Sequence, residues 1–175
     1  MDISKLKLYN CFDILDKNFF NDFSSNIDKR IIFQKYGLFF AKIFDLQFGR
    51  HSLYLHGPYN STLADVGYEI YRLSDEEKKI IDSELDTVKF NEIAQNIIKK
   101  LRENLTIDNV KFLEVFSTYF YLINYRLYSP TIAVKQTKNL KADLIDSENT
   151  IIKTTKTYEL LKKYINENTQ KTILL

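Results

Sequence analysis

This sequence predicts an all-α fold with one short extended segment around residues 51–55. Three observations predict it. Apolar residues recur at three- and four-residue spacing along most of the 175 positions, the period of one helix face. Turn-formers are scarce, with 4 Gly and 2 Pro, so a few long helices fit better than many strands. The 45% apolar content is interrupted by no internal repeat and no low-complexity linker, so one core and one domain over 1–175 are expected.

In chain order, Leu8, Cys11, Phe12, Leu15 and Phe19 form the stripe of a first amphipathic helix. Cys11 lies within that stripe and reads as a buried structural thiol. It is the only cysteine, which excludes an intrachain disulfide and fits a reducing compartment. Asn26 or Asp28 can cap a second helix over 29–44, whose broad apolar stripe is Ile32, Tyr36, Phe39, Phe40 and Ile43. Its polar positions shrink to a seam at Asp28, Lys35 and Lys42, and a helix so apolar belongs in the middle of a domain. Gly37 and Ala41 open a face for close approach of another backbone. Gln34 lies beside that face and, once buried, requires backbone partners near Gly57-Pro58-Tyr59.

After Gly49 comes the extended piece His51 to Leu55, then a stiff corner at His56-Gly57-Pro58-Tyr59, where Pro58 fixes its own φ and restricts Gly57. Asn60 or Ser61 caps a third helix with Leu63, Val66, Gly67, Ile70 and Leu73 inside. Ser74-Asp75-Glu76-Glu77 has the form of a capping box and starts a fourth, ending at Glu84 or Leu85. Asp86 can cap a fifth with the stripe Phe90, Ile93, Ala94, Ile97, Leu101 and Leu105. Thr106 and Asp108 lead into a core helix with Leu113, Phe116, Phe120, Ile123 and Leu127 on one side and Tyr119, Tyr121 and Tyr125 on the other, ended by Ser129-Pro130. Two further helices are expected, Ile132–Leu144 and Ser147–Asn166, the latter burying Ile151, Tyr158, Leu161 and Ile165; Thr169–Leu175 is expected to fray.

The charge balance excludes little. The chain carries +2, divided into +4 from Arg126 onward and −2 before it. Lys135, Lys138, Lys141, Lys156 and Lys163 offer a basic surface that could contact phosphates, although a solvated helix face accounts for them with fewer assumptions. The longest apolar run, Val115 to Ile123, is shorter than the roughly 20 residues that span a bilayer. With no apolar run after Met1–Lys5, neither a signal peptide nor a membrane partner is expected, and the location reads as cytoplasmic.

Catalytic patterns are missing as well. His51 and His56 stand five apart across an irregular segment, a spacing that converges on no metal, so neither a metal nor a cofactor is expected. The four glycines lie scattered at Gly37, Gly49, Gly57 and Gly67, outside any phosphate-binding or nucleophile-elbow motif. His56 beside Tyr59 is the one pairing with a catalytic shape, and hydrogen bonding within the turn explains it more simply. A non-enzyme is the reading.

The sequence Arg30-Ile31-Ile32-Phe33-Gln34-Lys35 on an apolar helix, followed by Tyr54-Leu55-His56-Gly57-Pro58-Tyr59-Asn60-Ser61-Thr62-Leu63, resembles the YwgA-like and Panacea (SocA-like antitoxin) group. Phe112-Leu113-Glu114-Val115-Phe116 is similar to a leucine-rich helix of the same group. The likeness covers a core of about 1–128, with a looser helical tail over 130–175; the chain has no Trp before its glycine-proline turn, and Asn60-Ser61 stands where the group carries a Pro. The resemblance implies an α-rich domain that works by protein binding, as an antitoxin neutralising a toxin, or as an inhibitor or adaptor of another effector. Its motif residues here are Gln34, Lys35, His56, Gly57, Pro58 and Tyr59. The alternative is a nucleic-acid-binding regulator using the basic C-terminal helices, and self-association through the aromatic-rich helices remains open to either reading.

Overall fold

The computed structural model describes residues 2–85 and 92–172, with side chains left out at 82–85, Ile93 and 169–172. Asp86 as a cap and the inward placement of Phe90 and Ile93 therefore lie outside the described residues. The described chain is mainly helical: α1 (Ile3–Leu15), α2 (Ile27–Ile43), α3 (Ser61–Tyr71), α4 (Asp75–Leu85), α5 (Glu92–Asn104), α6 (Val110–Asn124), α7 (Pro130–Leu140) and α8 (Glu148–Thr172). Between α2 and α3 lies a two-stranded antiparallel hairpin, β1 (Ser52–Tyr54) and β2 (Gly57–Tyr59). Among the described residues no helix is long and apolar enough to cross a membrane.

Two helices make the centre. Every residue of α2 from Ile32 to Ala41 is buried, as is every residue of α6 from Phe112 to Leu122. Helices apolar on all sides can be covered only if neighbours surround them. Phe39 of α2 meets Phe116 and Phe120 of α6 at ring separations of 5.6 and 4.9 Å. On the other side of α2, Phe12 of α1 stacks on Phe33 at 4.7 Å. α5 and α8 pack on one another and close the remaining sides, α5 against α1 and α8 against α6. Tyr36 of α2 anchors the end of α5 by donating its hydroxyl to the Leu105 carbonyl.

The helix starts follow from local chemistry. Asn26, Asn60 and Asn109 each accept a hydrogen bond from a backbone N–H three residues on, which satisfies one of the four donors a helix start leaves open. Ser74 and Glu77 form a reciprocal capping box at α4: the Glu77 N–H donates to Ser74 Oγ at 3.2 Å, and the Ser74 N–H donates to Glu77 Oε2 at 2.8 Å.

Four expectations are corrected. His56-Gly57-Pro58-Tyr59 is not the corner: Gly57 to Tyr59 form β2, and Leu55 and His56 make the turn, in the register Tyr54↔Gly57, Leu53↔Pro58 and Ser52↔Tyr59. Pro58 is tolerated because both strands of so small a sheet are edges. Ser129-Pro130 does not end α6 but begins α7, with Ser129 as cap and Pro130 in the first turn, where its missing N–H costs nothing. α6 instead stops at Asn124, so Leu127 falls past the helix, at φ 56° and exposed, rather than in the core. Finally, α8 runs past Asn166 to Thr172, into the segment expected to fray, whose residues 173–175 lie outside the described residues.

Candidate functional site

The hairpin is held from beneath by polar side chains that are themselves buried. Gln34, 5% exposed on α2, bonds both backbone groups of Asn60: the Asn60 N–H donates to Gln34 Oε1 at 2.9 Å, and Gln34 Nε2 donates to the Asn60 carbonyl at 3.1 Å. Asn60 passes the constraint on, since its side chain accepts from the Leu63 N–H at 2.9 Å and donates to the Phe48 carbonyl at 2.8 Å. One residue thus joins β2, the start of α3 and the strand-leading loop. The close approach of α3 to α2 is set by Gly37, where an added Cβ would lie 2.5 Å from Leu63 Cδ2.

Lys35 is not on a polar seam. It is 2% exposed, and its Nζ donates to the Pro58 carbonyl at 2.9 Å. Spacing by seven marks Asp28, Lys35 and Lys42 as one face, but β2 covers that face at Lys35 and leaves Asp28 and Lys42 in solvent. Burial pushes the Lys35 ammonium down to about 7 from an ordinary 10.5; nearby Glu114 opposes the shift, and Lys141 adds to it.

Lys141 is also corrected: it belongs to no basic surface. It is buried, its Nζ donating to the Leu55 carbonyl at 2.6 Å and lying 3.3 Å from Glu114 Oε2. The other Glu114 oxygen, Oε1, lies 3.3 Å from Nδ1 of half-exposed His56. A single buried carboxylate on α6 therefore serves a lysine from the end of α7 and a histidine from the hairpin turn. Gly57 fits into the same space at φ 88°, where an added Cβ would stand 2.9 Å from Thr118 Oγ1. Of the remaining lysines expected on the basic surface, Lys138 pairs with Glu148 at 2.8 Å and exposed Lys163 lies 3.9 Å from Glu167, leaving exposed Lys135 and Lys156 without an ion pair among the described residues.

Sequence reasoning did not single out Glu114, although a lone acid inside the buried run from Phe112 to Leu122 is a signal that a cation must reach it. His51 is buried, with neither ring nitrogen hydrogen-bonded among the described residues, and burial, with Lys35 nearby, pushes it down to about 4. It is a neutral imidazole packed 5.4 Å from the Tyr125 ring. Among the described residues no group of three or more His, Cys, Asp or Glu is arranged to hold a metal ion.

Above these braces the hairpin presents apolar side chains to solvent. Tyr54 is 64% and Leu55 84% exposed, with Leu53, Tyr59 and Ile27 also exposed. Tyr54 and Tyr59 meet edge to face at 5.4 Å. Between the hairpin and the first turns of α2 runs a groove of about 480 Å³, floored by Ile31, Gln34 and Lys35 and rimmed by Ile27, Tyr54 and Leu55. Arg30, Lys35 and His56 supply its nitrogen bases, and none of its lining residues carries a carboxylate.

No protein-family model, curated protein or solved structure matches this chain.

Proposed function

We propose that the protein is a non-catalytic protein-binding module of the antitoxin, inhibitor or adaptor kind, and that it docks its partner on the β1–β2 hairpin and the adjoining groove. The observation that carries this reading is the exposure of Tyr54 and Leu55 on a hairpin whose backbone is bonded by buried Gln34, Lys35 and Lys141. A loose loop would fold such side chains inward. Here buried polar side chains fix the backbone that carries them, and an exposed apolar patch is the usual mark of a partner surface. β1 has β2 on one side and no strand on the other among the described residues, so an extended partner segment could add to that edge.

The test is co-expression with the genes that neighbour its own, followed by pull-down of the tagged chain and of its Tyr54→Ser/Leu55→Ser variant. A stoichiometric protein held by the parent chain and lost from the variant supports the reading. Recovery of no such protein, or equal recovery by both chains, refutes it. Nucleic-acid binding would instead appear as a gel shift that weakens steeply with salt and ignores the hairpin variant.

A further inference from the structure

A second opening lies at the other half of α2. Phe39 of α2, Leu101 of α5, Phe116 and Phe120 of α6, and Tyr158 and Leu161 of α8 enclose a cavity of about 350 Å³ that opens to solvent. All six are buried members of the main core, yet they leave this space between them. Protein interiors close such gaps to voids scarcely larger than a water molecule. Water gains little inside apolar walls, whereas an apolar cavity of about 150 Å³ takes a benzene-sized guest. The space here accommodates roughly twice that, one alkyl chain rather than two.

The mouth has a definite charge. Lys42 from α2 and Lys162 from α8 line it, with Asn124 and Asn166, and among the described residues no carboxylate does. Both lysines are exposed, and neither forms an ion pair among the described residues. Each ammonium instead rests near an aromatic ring, Lys42 5.7 Å from Tyr125 and Lys162 5.9 Å from Tyr158. An apolar interior beneath two unpaired cations complements one shape of ligand, an alkyl chain ending in an anion.

We propose that this cavity binds a single-chain amphipathic carboxylate of the fatty-acid class, its chain among Phe39, Phe116 and Phe120 and its carboxylate between Lys42 and Lys162. The site is independent of the hairpin groove and stands whether or not the hairpin docks a protein.

Decanoate, titrated calorimetrically into the full chain below its micellar concentration, tests it, with nonyltrimethylammonium as the cation of equal alkyl length. Saturable 1:1 binding of decanoate is expected, about tenfold tighter than the cation, as two exposed ion pairs would provide. The Lys42→Glu/Lys162→Glu variant, whose changes lie in solvent, should reverse that preference while its helical circular dichroism stays the same. Failure of decanoate to saturate, equal affinity for the two head groups, or a variant that keeps the original preference would each overturn the proposal. The first comparison uses the parent chain alone and survives a variant that misfolds.

Discussion

Gln34 and Asn60 exchange a pair of hydrogen bonds across 26 residues, a side-chain amide matching a backbone amide donor to acceptor and acceptor to donor. Both residues are buried, so no water replaces either bond. Gln34→Leu leaves a buried N–H and a buried C=O unsatisfied and should cost about 2–4 kcal/mol. Urea unfolding followed by circular dichroism measures it. A loss under about 0.5 kcal/mol, the range of an ordinary surface change, would show that the pairing does not fasten the hairpin.

Glu114 and Lys141 call for a double-variant cycle. Glu114→Gln strips the buried Lys141 ammonium of its carboxylate at 3.3 Å and should destabilise by roughly 3 kcal/mol. Lys141→Met in the same chain removes the stranded charge and should recover part of that loss. Additive effects of the two substitutions would mean that the groups do not act as a pair.

Two buried groups, Lys35 and His51, should give the protein a stability that grows with pH. The folded Lys35 value of about 7 lies below its ordinary 10.5, so over that interval the unfolded chain holds more protons and stability rises with pH. His51 does the same lower down: its folded value of about 4 against 6.5 means that stability falls as pH drops from 6.5 towards 4. Above about 10 the phenols of buried Tyr36 and Tyr119 and half-buried Tyr125, raised by burial, act in the opposite sense. Urea midpoints across this range should flatten between pH 7 and 10 in Lys35→Met, and between pH 4 and 6.5 in His51→Phe. Slopes identical to the parent chain would contradict the assignment.

Two of the packed glycines, Gly57 and Gly37, should respond differently to alanine. At Gly57 the added Cβ meets both a positive φ and Thr118, an expected loss of about 1–3 kcal/mol. At Gly37 the helix itself gains about 1 kcal/mol from alanine, but Cβ runs into Leu63, and overpacking of this kind costs about 1–3 kcal/mol. Adding Leu63→Ala should relieve the clash in Gly37→Ala and leave Gly57→Ala as it was.

Much of this architecture was legible because periodicity reports burial directly. The run around Tyr36 and Phe40 places α2 at the centre, and Asn60 and Ser74 announce the helix starts that follow them. Gln34 was legible for another reason: an amide beside Gly37 on a buried face needs backbone partners, and the nearest irregular backbone follows Gly57. Lys35 and Lys141 were not, because periodicity assigns every lysine to solvent, and only the folded chain brings the Pro58 and Leu55 carbonyls to them. Strands of three residues carry too little alternation to show, so the hairpin read as a corner.

The bond from Lys141 to the Leu55 carbonyl spans 86 positions and has a consequence for how the protein is made. The hairpin tip leaves the ribosome long before its last brace does. Until Lys141 follows, Glu114 lacks the ammonium that lies 3.3 Å from its Oε2 and the Leu55 carbonyl lacks this donor. The exposed apolar tip is therefore completed late in synthesis, and a chain cut after Tyr128 would carry the hairpin sequence without one of the groups that fixes its shape.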